Sequence, residues 1–185
     1  MNFVKLNVPS HPALQALRQQ INDEATIAKV PPCLLAAIVW RETDGKNILQ
    51  YGADPNTGIL PDGTTAGVGL TQITSGVDWS NPKDPTIHGY HLLKESDNLY
   101  VSAAYYLAPL MASAARAQRD NPSEFNVSCH GQQVYAIGAG YNGGWGTVQA
   151  AMANGTDADS NTTDGYATDL QAKFDSLVSE SLANP

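Results

Sequence analysis

The sequence predicts a mainly α-helical domain that carries a small irregular or β lobe. The first observation is the spacing of apolar residues, which recur every three or four positions in several segments. The second is residues 44–98, where glycine and proline are too frequent for long helices. The third is the length of 185 residues, which fits one domain (residues 1–185), with residues 1–30 as an N-terminal helical arm.

Two helices are predicted before residue 44. Ser10 and Pro12 precede a run of apolar residues at helical spacing, and Pro31 and Pro32 end it. Proline is tolerated at a helix start because its missing N–H would be unpaired there, so a second helix is predicted over Pro32–Thr43. The two apolar stripes are Leu14, Leu17, Ile21, Ala25 and Ala28, and Leu34, Leu35, Ile38 and Val39.

Residues 44–98 are predicted to form the small lobe, mostly as loops, with a short strand or hairpin within residues 64–73. Loop stretches of this length in a compact domain are usually functional or disordered. Interspersed apolar residues argue against disorder: Ile59, Leu60, Val68, Leu70, Ile73, Val77 and Trp79.

The helical period returns after Asp97 and predicts four further helices. Pro109 is expected to kink the first of them, because proline cannot donate a backbone hydrogen bond. Residues 145–153 are expected to form a short helix, residues 154–163 a polar linker, and Thr163 the cap of the last helix. The apolar positions are Leu99, Ala103, Tyr106, Leu110 and Ala114; Val134, Ile137 and Tyr141; and Tyr166, Leu170, Phe174, Leu177 and Val178.

Composition and charge exclude several classes of partner. Ten Lys and Arg against 18 Asp and Glu give a net charge of −8, which repels nucleic acid and disfavours anionic membranes. A neutral or sugar-like substrate is compatible with this charge. Cys33 and Cys129 fit no metal motif, so we expect two buried thiols, or one disulfide if they meet in space. No metal or cofactor is implied, and a monomer is expected.

Glu42 differs from the other acidic residues because it continues the apolar stripe of its own helix. It follows Ile38 by four positions and Leu35 by seven. Burial disfavours the charged form of a carboxyl group, so the pKa of Glu42 is expected to be raised. A carboxyl that holds its proton can act as a general acid on a glycosidic oxygen. The alternative is a structural Glu42 that pairs with a neighbouring arginine or caps a loop.

Five segments then resemble one family in the order that the family has them. Residues 37–43 (AIVWRET) resemble the catalytic helix of the lytic transglycosylases and goose-type lysozymes, which ends in Glu and Ser. Residues 67–73 (GVGLTQI) are similar to its Gly-Leu-Met-Gln motif, and residues 98–107 (NLYVSAAYYL) to its middle helix. Residues 136–144 (AIGAGYNGG) resemble its Ala-Tyr-Asn-x-Gly signature, and residues 164–170 (DGYATDL) its late tyrosine-containing helix, closest to the goose-type branch.

This resemblance implies a lysozyme-like fold with a glycan-binding cleft between residues 67–74 and the helix of Tyr141. It implies cleavage of the β-1,4 bond between N-acetylmuramic acid and N-acetylglucosamine in peptidoglycan. Glu42 would act as acid and then as base on the muramic acid 6-hydroxyl, which gives a 1,6-anhydro end. Tyr141 would orient Glu42. Trp145 lies near glycines and is expected to stack on a sugar; the expected sugar contacts are Thr43, Gly69, Gln72, Asn142, Gly143, Trp145 and Tyr166.

Hydrolysis of the same bond, or of chitin, is the main alternative. An inverting hydrolase needs a base about 6.5–9.5 Å from the acid. Goose-type lysozymes usually carry an Asp just after the Gly-Leu-Met-Gln motif, where this chain has Thr74. Asp62 and Asp54 in the preceding loop are the substitutes, and Asp62 is the expected catalytic one. A further alternative is a non-catalytic glycan-binding module.

The first residues show no basic segment followed by an apolar stretch, so no secretory signal is expected. We therefore expect an enzyme that is made in the cytoplasm and then released or delivered to the bacterial wall in the periplasm. A phage lysis or virion enzyme (an endolysin) and a secreted effector both fit this expectation.

Overall fold

The computed structural model describes residues 3–185 and is mainly helical, with a small two-stranded antiparallel sheet, as predicted. The helices before the small lobe are α1 (Pro12–Ala16), α2 (Arg18–Ala28) and α3 (Pro32–Thr43). The sheet consists of β1 (Thr86–Ile87) and β2 (Tyr90–His91). The elements after it are α4 (Glu95–Val101), a π-helical segment (Ser102–Leu107), α5 (Ala108–Asp120), α6 (Pro122–Cys129), α7 (Gln133–Gly143), α8 (Trp145–Asn154), a 3₁₀ turn (Ala158–Asn161) and α9 (Tyr166–Ala183).

Helix α3 forms the centre of the core. Every residue from Pro32 to Val39 is buried, as expected for a helix that is apolar on all sides. Helices α1, α2 and α9 and the π-helical segment pack against α3, and α7 packs against α9. The C-terminal turn of α3, which carries Glu42, is thus supported by several elements.

Residues of the predicted N-terminal helical arm pack into the main core. Leu6, Leu14 and Ile21 are fully buried in the same apolar cluster as α3. The predicted single helix is divided into α1 and α2 at Leu17, whose amide bonds the carbonyl of Leu14 three residues back. This tighter step ends the first helix before the second begins.

A π-helical segment lies just before Pro109, where a kink was expected. The amide of Ala108 bonds the carbonyl of Ala103, five residues back. Pro109 has no N–H to offer the carbonyl of Tyr105, and its ring would crowd that carbonyl in a regular α-helix. The wider turn relieves this conflict just before Pro109.

The small lobe has its strands at a different place from the one predicted. The sheet pairs Thr86 with His91 and Ile87 with Tyr90, whereas residues 64–73 form only isolated bridges such as Val68 with Ile73. The predicted strand within residues 64–73 was therefore wrong, and the alternative of a hairpin is reduced to one antiparallel bridge, in which Val68 and Ile73 exchange two backbone hydrogen bonds. Several polar groups there bond side chains of α3 and α4, as described below, and are not available for a strand ladder.

Three further features complete the fold. Helix α6 was not predicted, because only Phe125, Ser128 and Cys129 of its eight residues are buried and the stripe is short. Cys33 and Cys129 are buried free thiols. Within residues 3–185 we find no helix with the length and apolar character needed to cross a membrane.

Candidate active site

Glu42 lies half-buried in the last turn of α3. Burial raises the pKa of its carboxyl group, against the opposing effects of a hydrogen bond from Tyr166 and the charge of Arg41. The negative end of the helix dipole also disfavours a carboxylate at this position. Among residues 3–185 no cation forms an ion pair with Glu42; Arg41 pairs with Asp169 instead. Within the described residues, Glu42 therefore does not form the ion pair with an arginine that the structural alternative proposed.

Tyr166 provides the hydroxyl that reaches Glu42. It is the first residue of α9, is 3 % exposed, and donates a hydrogen bond to Oε1 of Glu42. Burial and the nearby Glu42 raise the pKa of Tyr166 well above its ordinary value. The tyrosine therefore stays protonated and remains a donor to the carboxyl group.

The start of α9 is held in a way that the sequence did not indicate. Gly165 precedes the helix with φ of +63°, a conformation that glycine adopts readily. Asp159 accepts the amides of Ala167 and Thr168, at 2.7 and 3.1 Å, and thus satisfies two free donors of the first turn. The prediction that Thr163 caps α9 was wrong, because Asp159 and Gly165 take that place.

Tyr141 on α7 lies beside Tyr166 but bonds a different partner. Its hydroxyl donates to the carbonyl of Thr71 at 2.9 Å and lies 3.4 Å from Oγ of Ser102. The rings of Tyr141 and Tyr166 are nearly parallel, with centroids 6.4 Å apart. The expected orienting bond to Glu42 thus comes from Tyr166, while Tyr141 joins α7 to the 67–73 loop. We refer to Glu42, Tyr141 and Tyr166 as the Glu42 cluster.

The 67–73 loop is fixed beside the Glu42 cluster by two buried polar side chains. The hydroxyl of Thr43 donates to the carbonyl of Leu70 at 2.8 Å, so this expected sugar contact ties α3 to the loop. Asn98 on α4 is fully buried and accepts the amide and hydroxyl of Thr71 at 3.1 and 2.9 Å. It donates to the carbonyls of Val68 and Leu92.

Gly69 and Gln72 are shaped by contacts within the protein. Gly69 has φ of +76°, and a Cβ there would lie 2.2 Å from Nδ2 of Asn98, so the close approach that requires glycine is to Asn98. The side-chain amide of Gln72 donates to the carbonyls of Gly69 and Ile48, at 2.8 and 3.1 Å. Both of these bonds tie the Gln72 side chain to the protein backbone.

Three expected sugar contacts lie at and after the end of α7. Oδ1 of Asn142 accepts the amide of Thr163 at 2.9 Å, which joins α7 to the segment before α9. The hydroxyl of Thr147 donates to the carbonyl of Gly143 at 2.6 Å. Trp145 is half-buried and lines a groove of about 520 Å³, together with Arg116, Asp120 and Met152 of α5 and α8. No member of the Glu42 cluster lines that groove.

Asp62 and Asp54 lie in exposed turns of the small lobe. The carboxylate of Asp62 accepts the amide and hydroxyl of Thr64, at 2.9 and 2.6 Å, and these bonds lower the pKa of Asp62. Asp54 accepts the amide of Asn56 in the same manner, at 2.8 Å. Both carboxylates therefore have the local geometry of turn-forming aspartates.

The structure thus joins some of the predicted residues and not others. Glu42, Tyr141, Tyr166 and Thr43 meet around the 67–73 loop, whereas Trp145 lines the groove beside α5, which none of these four residues lines. Sequence reasoning missed Asn98, Arg41 and Asp169. Two signals in the sequence could have indicated them. Asn98 is a polar residue beside the apolar Leu99 and Val101, and Asp169 follows Tyr166 by three positions.

This arrangement offers one half-buried acid next to a tyrosine donor. The acid can give a proton to an oxygen leaving group, and Tyr166 can stabilise the carboxylate that results. Comparison of the chain with protein-family models and with curated proteins finds no match to either.

Proposed function

We propose that this protein cleaves the β-1,4 bond between N-acetylmuramic acid and N-acetylglucosamine in peptidoglycan, as a lytic transglycosylase. The observation that carries the proposal is Glu42: a half-buried carboxyl group with a raised pKa that accepts a hydrogen bond from Tyr166. The resemblance of residues 37–43 and 136–144 to the transglycosylase and goose-type lysozyme motifs supports the same assignment.

The reaction uses Glu42 twice. Protonated Glu42 donates its proton to the glycosidic oxygen as the bond to C1 of the muramic acid breaks. The hydroxyl of Tyr166 stabilises the carboxylate that this step leaves. The carboxylate then takes the proton of the muramic acid 6-hydroxyl, whose oxygen attacks C1 and closes the 1,6-anhydro ring. The proton returns to Glu42, so the cycle is balanced without an added water.

An intramolecular nucleophile makes a second carboxylate unnecessary, since proximity replaces the activation of water. The state of Asp62 favours this route over hydrolysis, because its carboxylate is engaged by Thr64 in an exposed turn. Thr74 stands where goose-type enzymes usually have an aspartate. The described residues thus give more support to transglycosylation than to hydrolysis by an Asp62-bound water.

The test is the release of soluble fragments from purified peptidoglycan by the parent chain and by Glu42→Gln. General acid catalysis contributes about 10²–10⁴-fold, so Glu42→Gln is expected to lower the rate by at least about 100-fold. Asp23→Asn is the control, because Asp23 is an exposed acid on α2 that lines neither the Glu42 cluster nor the groove of Trp145. Release by Glu42→Gln at the parent's rate would overturn the proposal.

A further inference from the structure

We propose that Arg41 and Asp169 are positioning residues that set the proton affinity of Glu42. This inference deepens the proposed function and rests on it for its catalytic meaning. Its basis is a continuous series of contacts on one side of the Glu42 cluster, from Lys173 through Asp169 and Arg41 to Tyr166. None of these contacts follows from the sequence motifs.

Arg41 is held between Tyr166 and Asp169. Its guanidinium lies over the Tyr166 ring, with the central carbon 4.9 Å from the ring centroid, a distance typical of cation–π contacts. Its Nε lies 3.0 Å from Oδ2 of Asp169. The guanidinium thus packs on the tyrosine that donates to Glu42, and it pairs with Asp169 rather than with Glu42.

Asp169 is fixed in turn by a second cation. Nζ of Lys173 lies 2.8 Å from Oδ1 of Asp169, so each carboxylate oxygen has its own cationic partner. Lys173 also lies 4.7 Å from the ring centroid of Trp40 on α3. Tyr166, Asp169 and Lys173 are spaced by three and four positions, which places them on one face of α9 opposite Trp40 and Arg41.

The charges in this series act on Glu42 in opposite directions. The cation of Arg41 lowers the pKa of Glu42, whereas burial raises it. Asp169 offsets the Arg41 charge, since one of its carboxylate oxygens lies 3.0 Å from Nε of the guanidinium. The other side chains that face this region carry neutral hydroxyl groups. They are Tyr166 from α9, Tyr141 from α7, and Ser102 and Tyr106 from the π-helical segment.

Two variants that break the same ion pair should therefore shift the pKa of Glu42 in opposite directions. Asp169→Asn leaves the Arg41 cation without its anion, so the pKa of Glu42 falls. Arg41→Gln removes the cation, so the pKa of Glu42 rises. A role confined to stability predicts no such opposition, because both changes remove one and the same contact.

The measurement is an NMR titration of the Glu42 side-chain carboxyl carbon, with no substrate present. Asp175→Asn is the matched control, since Asp175 is an exposed aspartate on the same helix. Opposite shifts for Asp169→Asn and Arg41→Gln, with little change for Asp175→Asn, are the expected result. Shifts of one sign, no shift, or an equal shift in the control would overturn the proposal. Arg41→Met, which also removes the charge and keeps a long side chain, serves as a second variant with the same expected rise if Arg41→Gln does not fold.

Activity profiles separate this inference from the proposed function. The alkaline limb of the pH–rate profile reports loss of the acid proton, so it should move down for Asp169→Asn and up for Arg41→Gln. If the parent chain does not cleave peptidoglycan, the proposed function is contradicted. The NMR titration of Glu42 then still tests whether Arg41 and Asp169 set its pKa. Cleavage with unshifted alkaline limbs would overturn the positioning roles alone.

Discussion

Replacing Asn98 by alanine is expected to destabilise the 67–73 loop and the lobe around it. Asn98 is fully buried and makes four hydrogen bonds, two to Thr71 and one each to the carbonyls of Val68 and Leu92. A buried hydrogen bond contributes about 1 kcal/mol net, and an unpaired buried group costs more. The carbonyl of Val68 keeps the amide of Ile73 as a partner. The free energy of unfolding should therefore fall by about 3–4 kcal/mol.

Urea denaturation at neutral pH measures this change, with Asn56→Ala as the control in an exposed turn of the same lobe. The control should change the unfolding free energy by less than about 0.5 kcal/mol. A loss below about 1 kcal/mol for Asn98→Ala would refute the reasoning, because it would mean that water or repacking replaces all four bonds.

The isosteric change Asn98→Asp adds a second check on the same side chain. The introduced carboxylate can still accept from Thr71, but it would face the carbonyl oxygens of Val68 and Leu92 without a proton to give. The folded state therefore favours the protonated form of this group. The variant should regain stability as the pH falls, and a variant whose stability is insensitive to acid would contradict the assigned bonds.

Three further predictions concern the acid Glu42, its hydrogen-bond donor Tyr166 and the loop residue Asp62. Burial raises the pKa of Glu42, so the folded protein binds the carboxyl proton more tightly than the unfolded chain does. The protonated group therefore contributes stability at low pH, and this contribution is lost as the pH rises through the pKa of the folded state. Glu42→Gln should therefore gain stability relative to the parent as the pH rises, and denaturation at several pH values checks the sign. Tyr166→Phe removes a bond to the charged carboxylate, so the pKa of Glu42 should rise in an NMR titration; a fall would contradict the assigned donor. Asp62→Asn should leave fragment release within about twofold of the parent, whereas a loss of about 100-fold or more would assign Asp62 as a catalytic base and favour hydrolysis.

Local sequence pattern predicted the central helix well. Helix α3 has the predicted bounds, because an apolar run after a proline leaves few other structures for these residues. The half-buried position of Glu42 followed from its place in the stripe, four positions after Ile38. The raised pKa of Glu42 agrees with that expectation.

Features that depend on long-range contacts were not predicted. Asn98 bonds Thr71 across 27 positions, and Tyr166 bonds Glu42 across 124. Neither separation leaves a local pattern, and the family resemblance pointed to Tyr141 as the tyrosine beside Glu42, whereas the hydrogen bond comes from Tyr166. The strand within residues 64–73 failed for the same reason, since its backbone groups have partners on α3 and α4.

The most direct test of the central claim is mass spectrometry of the soluble fragments that the parent chain and Glu42→Gln release from purified peptidoglycan. Anhydro-muramic acid ends from the parent alone are the result that we expect. Reducing ends from the parent alone would contradict transglycosylation and direct attention to Asp62 and Asp54. No fragments from the parent would contradict peptidoglycan cleavage itself.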